Sequence, residues 1–117
     1  LGEHSFPASC RLHSTGDYQR VYRNGRRFPA KHFLLFCHRS PEESSRIGLA
    51  VGRKVGPAVV RNLVKRRLRE ILRRLRADFP FPVDVVIVAH PGSAALDQAG
   101  MELEVRQLLR NARLLEG

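Results

Sequence analysis

A chain of 117 residues that is 43% hydrophobic and 27% charged is long enough for one buried core and too apolar to be disordered. Its formal net charge of +10, from 21 Lys/Arg against 11 Asp/Glu, points to a polyanionic partner, nucleic acid before an anionic membrane. No apolar run approaches the ~20 residues of a membrane helix, nothing at the start reads as a secretory signal, and two cysteines, Cys10 and Cys37, make no disulfide framework. The expectation is therefore a single nucleic-acid-binding domain over residues 1–117, cytoplasmic, with free thiols.

Residues 1–13 show no periodicity. Ser14-Thr15-Gly16-Asp17 predicts a helix start, with small hydroxyls at the cap and an acid in the first turn. Tyr18, Val21 and Tyr22 then share one helical face, and Asn24-Gly25 ends the helix. Phe28 to His38 is aromatic and apolar, one β region long enough for two strands, and Arg46 to Gly52 is another. The polar turn Ser40-Pro41-Glu42-Glu43-Ser44-Ser45 between them predicts that they pair as an antiparallel hairpin.

Gly52 to Gly56 reads as a basic loop, and Pro57 suits the start of a helix running to about Ala77. At about 100° per residue, Val60, Val64, Leu68, Ile71, Leu72 and Leu75 fall on one face. Arg61, Asn62, Lys65, Arg66, Arg69, Arg73 and Arg76 form the adjoining stripe. Phe79-Pro80-Phe81-Pro82 stops the helix. Val83 to Ala89 is almost wholly apolar, the pattern of a central strand covered on both faces. A last helix follows, with Met101, Val105, Leu108, Leu109 and Ala112 on one face.

The charge is concentrated. Ten of the Lys/Arg lie between Arg53 and Arg76 with one acid, Glu70, and the rest of the chain is close to neutral. Cations at helical i, i+4 spacing repel one another by a few tenths of a kcal/mol per pair. Solvated helix faces usually mix signs, so an unbalanced stripe makes sense when phosphates neutralise it. Tyr18, Tyr22 and Phe36 fit either a core face or, beside Arg20 and Arg23, a platform for unpaired bases.

Signals for catalysis are weak. Cys10-x-x-His13 is half of a zinc pattern, and His4, His32, Cys37, His38 and His90 complete no ligand set. Asp17, Glu42, Glu43, Glu70, Asp78 and Asp84 are scattered, while Asp97, Glu102 and Glu104 read as ordinary charges of an early helical turn. There is no phosphate loop with its lysine and no nucleophile elbow. No catalytic or metal-ligating residue is expected on this chain.

The string G-L-A-V-G-R-K-V-G-P-A-V-V-R-N-L-V-K-R-R-L-R-E, Gly48 to Glu70, closely resembles the signature of the protein subunit of bacterial ribonuclease P. Phe6-Pro7, Arg11-Leu12, Asp17-Tyr18 with Tyr22, Phe33-Leu34-Leu35-Phe36, Arg46-Ile47-Gly48-Leu49 and V-D-V-V-I-V-A follow in the family's order, so the resemblance covers nearly the whole chain. It implies an α+β sandwich, a four-stranded mixed sheet with about three helices, similar to domain 2 of ribosomal protein S5 and with a left-handed β-α-β crossover. It also implies a catalytic RNA partner that holds Mg²⁺ and cleaves the 5′ leader from precursor tRNA, with no DNA or membrane partner. The family's leader cleft falls on Tyr18, Tyr22 and Phe36. Its basic RNA-binding residues fall on Arg53, Lys54, Arg61, Asn62, Lys65, Arg66, Arg69 and Arg73.

Two positions depart from the family pattern. Leu63 stands where the family usually has a second arginine, so that one RNA contact is either missing or taken over by Arg66 or Arg67, and Pro57 removes one loop N–H. The rival readings are a ribosomal-type structural RNA-binding protein without a leader cleft, a protein-only nuclease, and a DNA-binding protein.

Overall fold

The computed structural model describes residues 11–116. Helix α1 (Thr15–Asn24) starts where the cap residues predict: the Ser14 hydroxyl accepts the Asp17 N–H at 3.0 Å. Gly25 closes it, donating its N–H to the Val21 carbonyl in an extended rather than left-handed conformation. The first β region is two strands, β1 (Arg26–Pro29) and β2 (Phe33–Arg39), joined by a tight turn in which Ala30 N–H reaches the Phe33 carbonyl at 2.9 Å. They are followed by β3 (Arg46–Val51), α2 (Ala58–Leu75), β4 (Val83–Ala89) and α3 (Gln98–Asn111). Helix α2 stops two residues before the expected end, and Arg76–Asp78 tighten into a 3₁₀ turn.

The sheet order is β1-β2-β4-β3. This corrects the expected hairpin: β2 and β3 are not neighbours, because β4 enters between them, antiparallel to β2 and parallel to β3. The antiparallel hairpin is β1–β2. Burial explains the arrangement. The most apolar strand takes the central place, where all its positions but Val88 are buried, and the shorter, half-buried β3 takes an edge. Helix α2 carries the chain between the parallel neighbours β3 and β4, the connection that the crossover expectation requires. The edge of β3 is partly covered by the preceding chain, through Leu12 N–H to the Ile47 carbonyl at 3.1 Å.

Each face of the sheet has its own apolar cluster. Phe33, Leu35, Cys37, Ile47, Val85 and Ile87 point to one side and meet Val64, Leu68, Ile71, Leu72 and Leu75 of α2 and the predicted apolar face of α3. Val60, expected on that face, is only half-buried, in the first turn of the helix. The other side carries a smaller cluster, Leu12, Val21 and Val86, with Tyr18, Tyr22, Phe36 and Val88 packed on it half-buried. Helix α1 is the only helix among the described residues that lies there, so this face stays partly open.

Candidate nucleic-acid interface

The open face is built from register. Gly48 of β3, Val86 of β4 and Phe36 of β2 are mutual partners across the sheet. Above them α1 lays Tyr18 over Gly48 and Tyr22 against Phe36. A Cβ at Gly48 would sit 2.8 Å from Tyr18 Cε1, Cζ and the hydroxyl, so glycine here makes room for the ring. Tyr22 meets Phe36 edge-on with centroids 4.9 Å apart, and Tyr18 lies 6.3 Å from Tyr22. The three aromatics named from sequence thus form one half-buried row. Burial, and then the neighbouring Tyr18, push the Tyr22 phenol above its ordinary value of 10.0.

What holds α1 in place is a charged network that sequence reading passed over. Asp84, a fully buried carboxylate in the apolar strand β4, accepts from Arg46 Nε at 3.0 Å and from Arg46 Nη2 at 2.8 Å. It also accepts from Arg20 of α1 at 2.7 Å. Arg46 and Arg20 both lean on Asp17 as well. Burial alone would raise the Asp17 carboxyl, but Arg46, Ser14 and Arg20 outweigh it and hold it below 3.8. The hydrogen bond to Asp84 raises Arg46 in turn. The available signal was a single acid inside V-D-V-V-I-V-A, since a charge among buried positions needs a partner.

The basic residues divide into two groups. Arg67 donates to the Leu96 carbonyl at 2.6 Å, Arg74 pairs with Glu102, and Arg76 donates to the Ser45 carbonyl at 2.9 Å. These three hold α2 to its neighbours, and Arg67 is therefore not spare to stand in for the arginine absent at Leu63. Arg61 is half-buried and donates to the Gly56 carbonyl at 3.1 Å, closing the loop before the helix. Gly56, at φ 156°, needs to be glycine for that loop. Arg53, Lys54, Lys65, Arg66, Arg69 and Arg73 have no ion pair or hydrogen bond among the described residues.

Two grooves join cations to the open face. One, of about 220 Å³, wraps the β3 edge and is lined by Tyr18, Leu12, Leu49, Arg11, Lys65 and Arg69. The other, of about 510 Å³, lies past the end of the sheet, between Ala50, Val88, His90 and the loop carrying Arg53 and Lys54. Asn62 and Arg66 are exposed on α2 and line neither groove. The structure therefore brings Tyr18, Lys65 and Arg69 together and leaves Asn62 and Arg66 on a separate outward surface.

The Ribonuclease P family model matches residues 6–113. The chain belongs to the ribonuclease P protein family. The ribonuclease P protein component of Desulfovibrio desulfuricans is 45% identical over 116 residues, 95% of this chain and 89% of that protein. That of Brevibacillus brevis is 33% identical over 109 residues, 92% and 86% of the two chains. The solved ribonuclease P protein of Thermotoga maritima superposes with a TM-score of 0.78 at 27% identity, covering 92% of this chain and 98% of its own. The Staphylococcus aureus structure, with a TM-score of 0.83 at 23% identity over 92% and 98%, has the same fold. The protein is a subunit of ribonuclease P, an endoribonuclease, and takes part in tRNA 5′ maturation. Membership decides against the ribosomal-type reading.

Several of the remaining acids, and Cys37, are tied into the fold. Glu102 is held below 4.5 by its hydrogen bond to Arg74, then by Arg106, and Glu104 accepts the His32 N–H at 2.7 Å and lies 2.8 Å from His32 Nδ1. They are thus more than the ordinary early-turn charges expected, whereas Asp97 caps α3 through the Gly100 N–H. Burial, partly offset by Arg26, pushes the Cys37 thiol up and makes it a poor nucleophile. Cys10 and His4 lie outside the described residues. Among the described residues no three of His, Cys, Asp and Glu gather as metal ligands. No helix among them is long and apolar enough to cross a membrane.

Proposed function

We propose that the open sheet face holds the single-stranded 5′ leader of precursor tRNA, while the outward basic surface of α2 docks on the catalytic RNA. The observation that carries this is the aromatic row Tyr18, Tyr22, Phe36 with Lys65 and Arg69 at one end. Stacking of unpaired bases on aromatic rings contributes ~1–3 kcal/mol per base and tolerates any sequence, which suits leaders of varied sequence. An aromatic groove floored by a sheet suits a single strand, whose unpaired bases can stack on it.

The chemistry belongs to the RNA partner in this reading. Mg²⁺ is bound mainly by the RNA and supports phosphodiester hydrolysis there. This chain's part is electrostatic and positional. Lys65 and Arg69 take leader phosphates beside Tyr18, Arg53 and Lys54 flank the far groove, and Asn62, Arg66 and Arg73 face the RNA subunit with Arg61 bracing their helix. The positive field lowers the concentration of added cations that the RNA needs. The described residues work as one RNA-binding unit.

The test is cleavage of a precursor tRNA by a bacterial ribonuclease P RNA at low Mg²⁺, with and without the protein. Stimulation that requires both, and yields mature 5′ ends, is expected. Tyr18→Ala and Tyr22→Ala should weaken binding of precursor but not of mature tRNA. Equal losses for both would assign the tyrosines to the core instead.

A further inference from the structure

Strand β1 contributes a residue to the open face that neither its sequence context nor the aromatic row announces. Alternation along β1 sends Arg26 and Phe28 to the core side, opposite Cys37 and Leu35, and Arg27 and Pro29 to the open side, opposite Phe36 and Leu34. The two adjacent arginines therefore have different surroundings. Arg26 covers the Phe28 ring at 4.9 Å. Arg27 is exposed and has no ion pair or hydrogen bond among the described residues.

Register places Arg27 at the end of one transverse row. Arg27 faces Phe36, Phe36 faces Val86, and Val86 faces Gly48, under Tyr18. The row crosses all four strands, about 14 Å at the usual strand spacing. Cations thus stand at both ends of the aromatics: Lys65 and Arg69 beside Tyr18, and Arg27 beside Phe36. The span has room for about two unstacked bases between phosphate contacts.

We propose that Arg27 is the outer phosphate clamp of this cleft, so that the bound single strand runs across the β-strands rather than along them. An arginine fork can hold one phosphate with two hydrogen bonds while its plane covers the base next to Phe36. This rests on the leader-cleft reading above.

The experiment measures binding of precursor tRNAs with leaders of graded length to the reconstituted RNA–protein complex, comparing the unaltered protein with Arg27→Gln and Arg27→Lys. Because Arg27 is exposed and unpaired, neither change disturbs the core. Arg27→Gln should lower affinity about tenfold once the leader reaches the clamp, and leave mature tRNA and the shortest leaders unchanged. The salt slope for long leaders should fall by about 0.7, the share of one single-strand phosphate, and Arg27→Lys should keep it. An unchanged leader-length profile in Arg27→Gln, with Tyr22→Ala still losing leader affinity, overturns the clamp alone. If the tyrosine variants are also without effect, the leader cleft itself falls. Equal losses for precursor and mature tRNA would overturn the clamp and move Arg27 to another contact.

Discussion

Replacing Asp84 with asparagine tests whether the buried network holds α1 over the sheet. Asp84 is fully buried and accepts three hydrogen bonds from two guanidinium groups. Asparagine keeps the shape but removes the charge and turns a donor toward the arginines. Breaking a buried pair by removing one partner costs about 3–5 kcal/mol. Arg46, with only 11% of its side chain exposed, keeps little solvent, whereas Arg20 at 31% recovers part of its hydration. The expected loss is therefore near the lower end, about 3 kcal/mol out of a typical 5–15 kcal/mol. At roughly 4 °C per kcal/mol for a domain of this size, Tm falls by about 12 °C. Urea unfolding should show a lower midpoint with an unchanged m-value. Arg46→Met combined with Asp84→Val should lose less than the two single changes together, because a well-packed apolar pair removes both desolvated charges. A loss under ~1 kcal/mol in Asp84→Asn would refute the idea that this network anchors the helix.

Three further outcomes separate the roles assigned above. Gly48→Ala forces Tyr18 off its seat, since the new carbon would lie 2.8 Å from the ring, and should cost leader-dependent affinity while binding to the RNA subunit persists; equal loss of both would contradict it. Arg66→Ala should reduce the salt slope of RNA binding by about 0.7–0.9 without changing stability. Arg67→Ala should do the reverse, costing about 1 kcal/mol of stability through the lost bond to the Leu96 carbonyl while the slope stays. Asp17 and Glu102 both lie below their ordinary 3.8 and 4.5 when folded, so on acidification the unfolded chain takes up these protons first. Their contribution is present above about pH 4.5 and is lost as pH falls through the lowered values. Urea midpoints measured down this limb should decline less steeply in Asp17→Asn and Glu102→Gln.

Local chemistry alone determined much of this protein. The cap at Ser14, the apolar faces of α2 and α3, the buried run from Val83 to Ala89 and the basic window from Arg53 to Arg76 all depend on neighbours within a few residues, so they are legible in the string. The motifs from Gly48 to Glu70 pointed to the family in the same way. Strand neighbours are different. Alternation tells which side chains share a face of one strand but not which strand lies beside it, and the polar turn before β3 suggested a pairing that β4 displaces. Only that insertion sets Phe36 and Gly48 on opposite sides of Val86, and only the sheet lines up Arg27 with them. The same limit applies to charge. Arg66 and Arg67 are adjacent and chemically identical, yet one faces solvent and the other a carbonyl of the turn before α3. Asp84 looked like an isolated acid because its partners, Arg20 and Arg46, stand 64 and 38 residues away, and only packing of α1 and β3 against β4 brings them together.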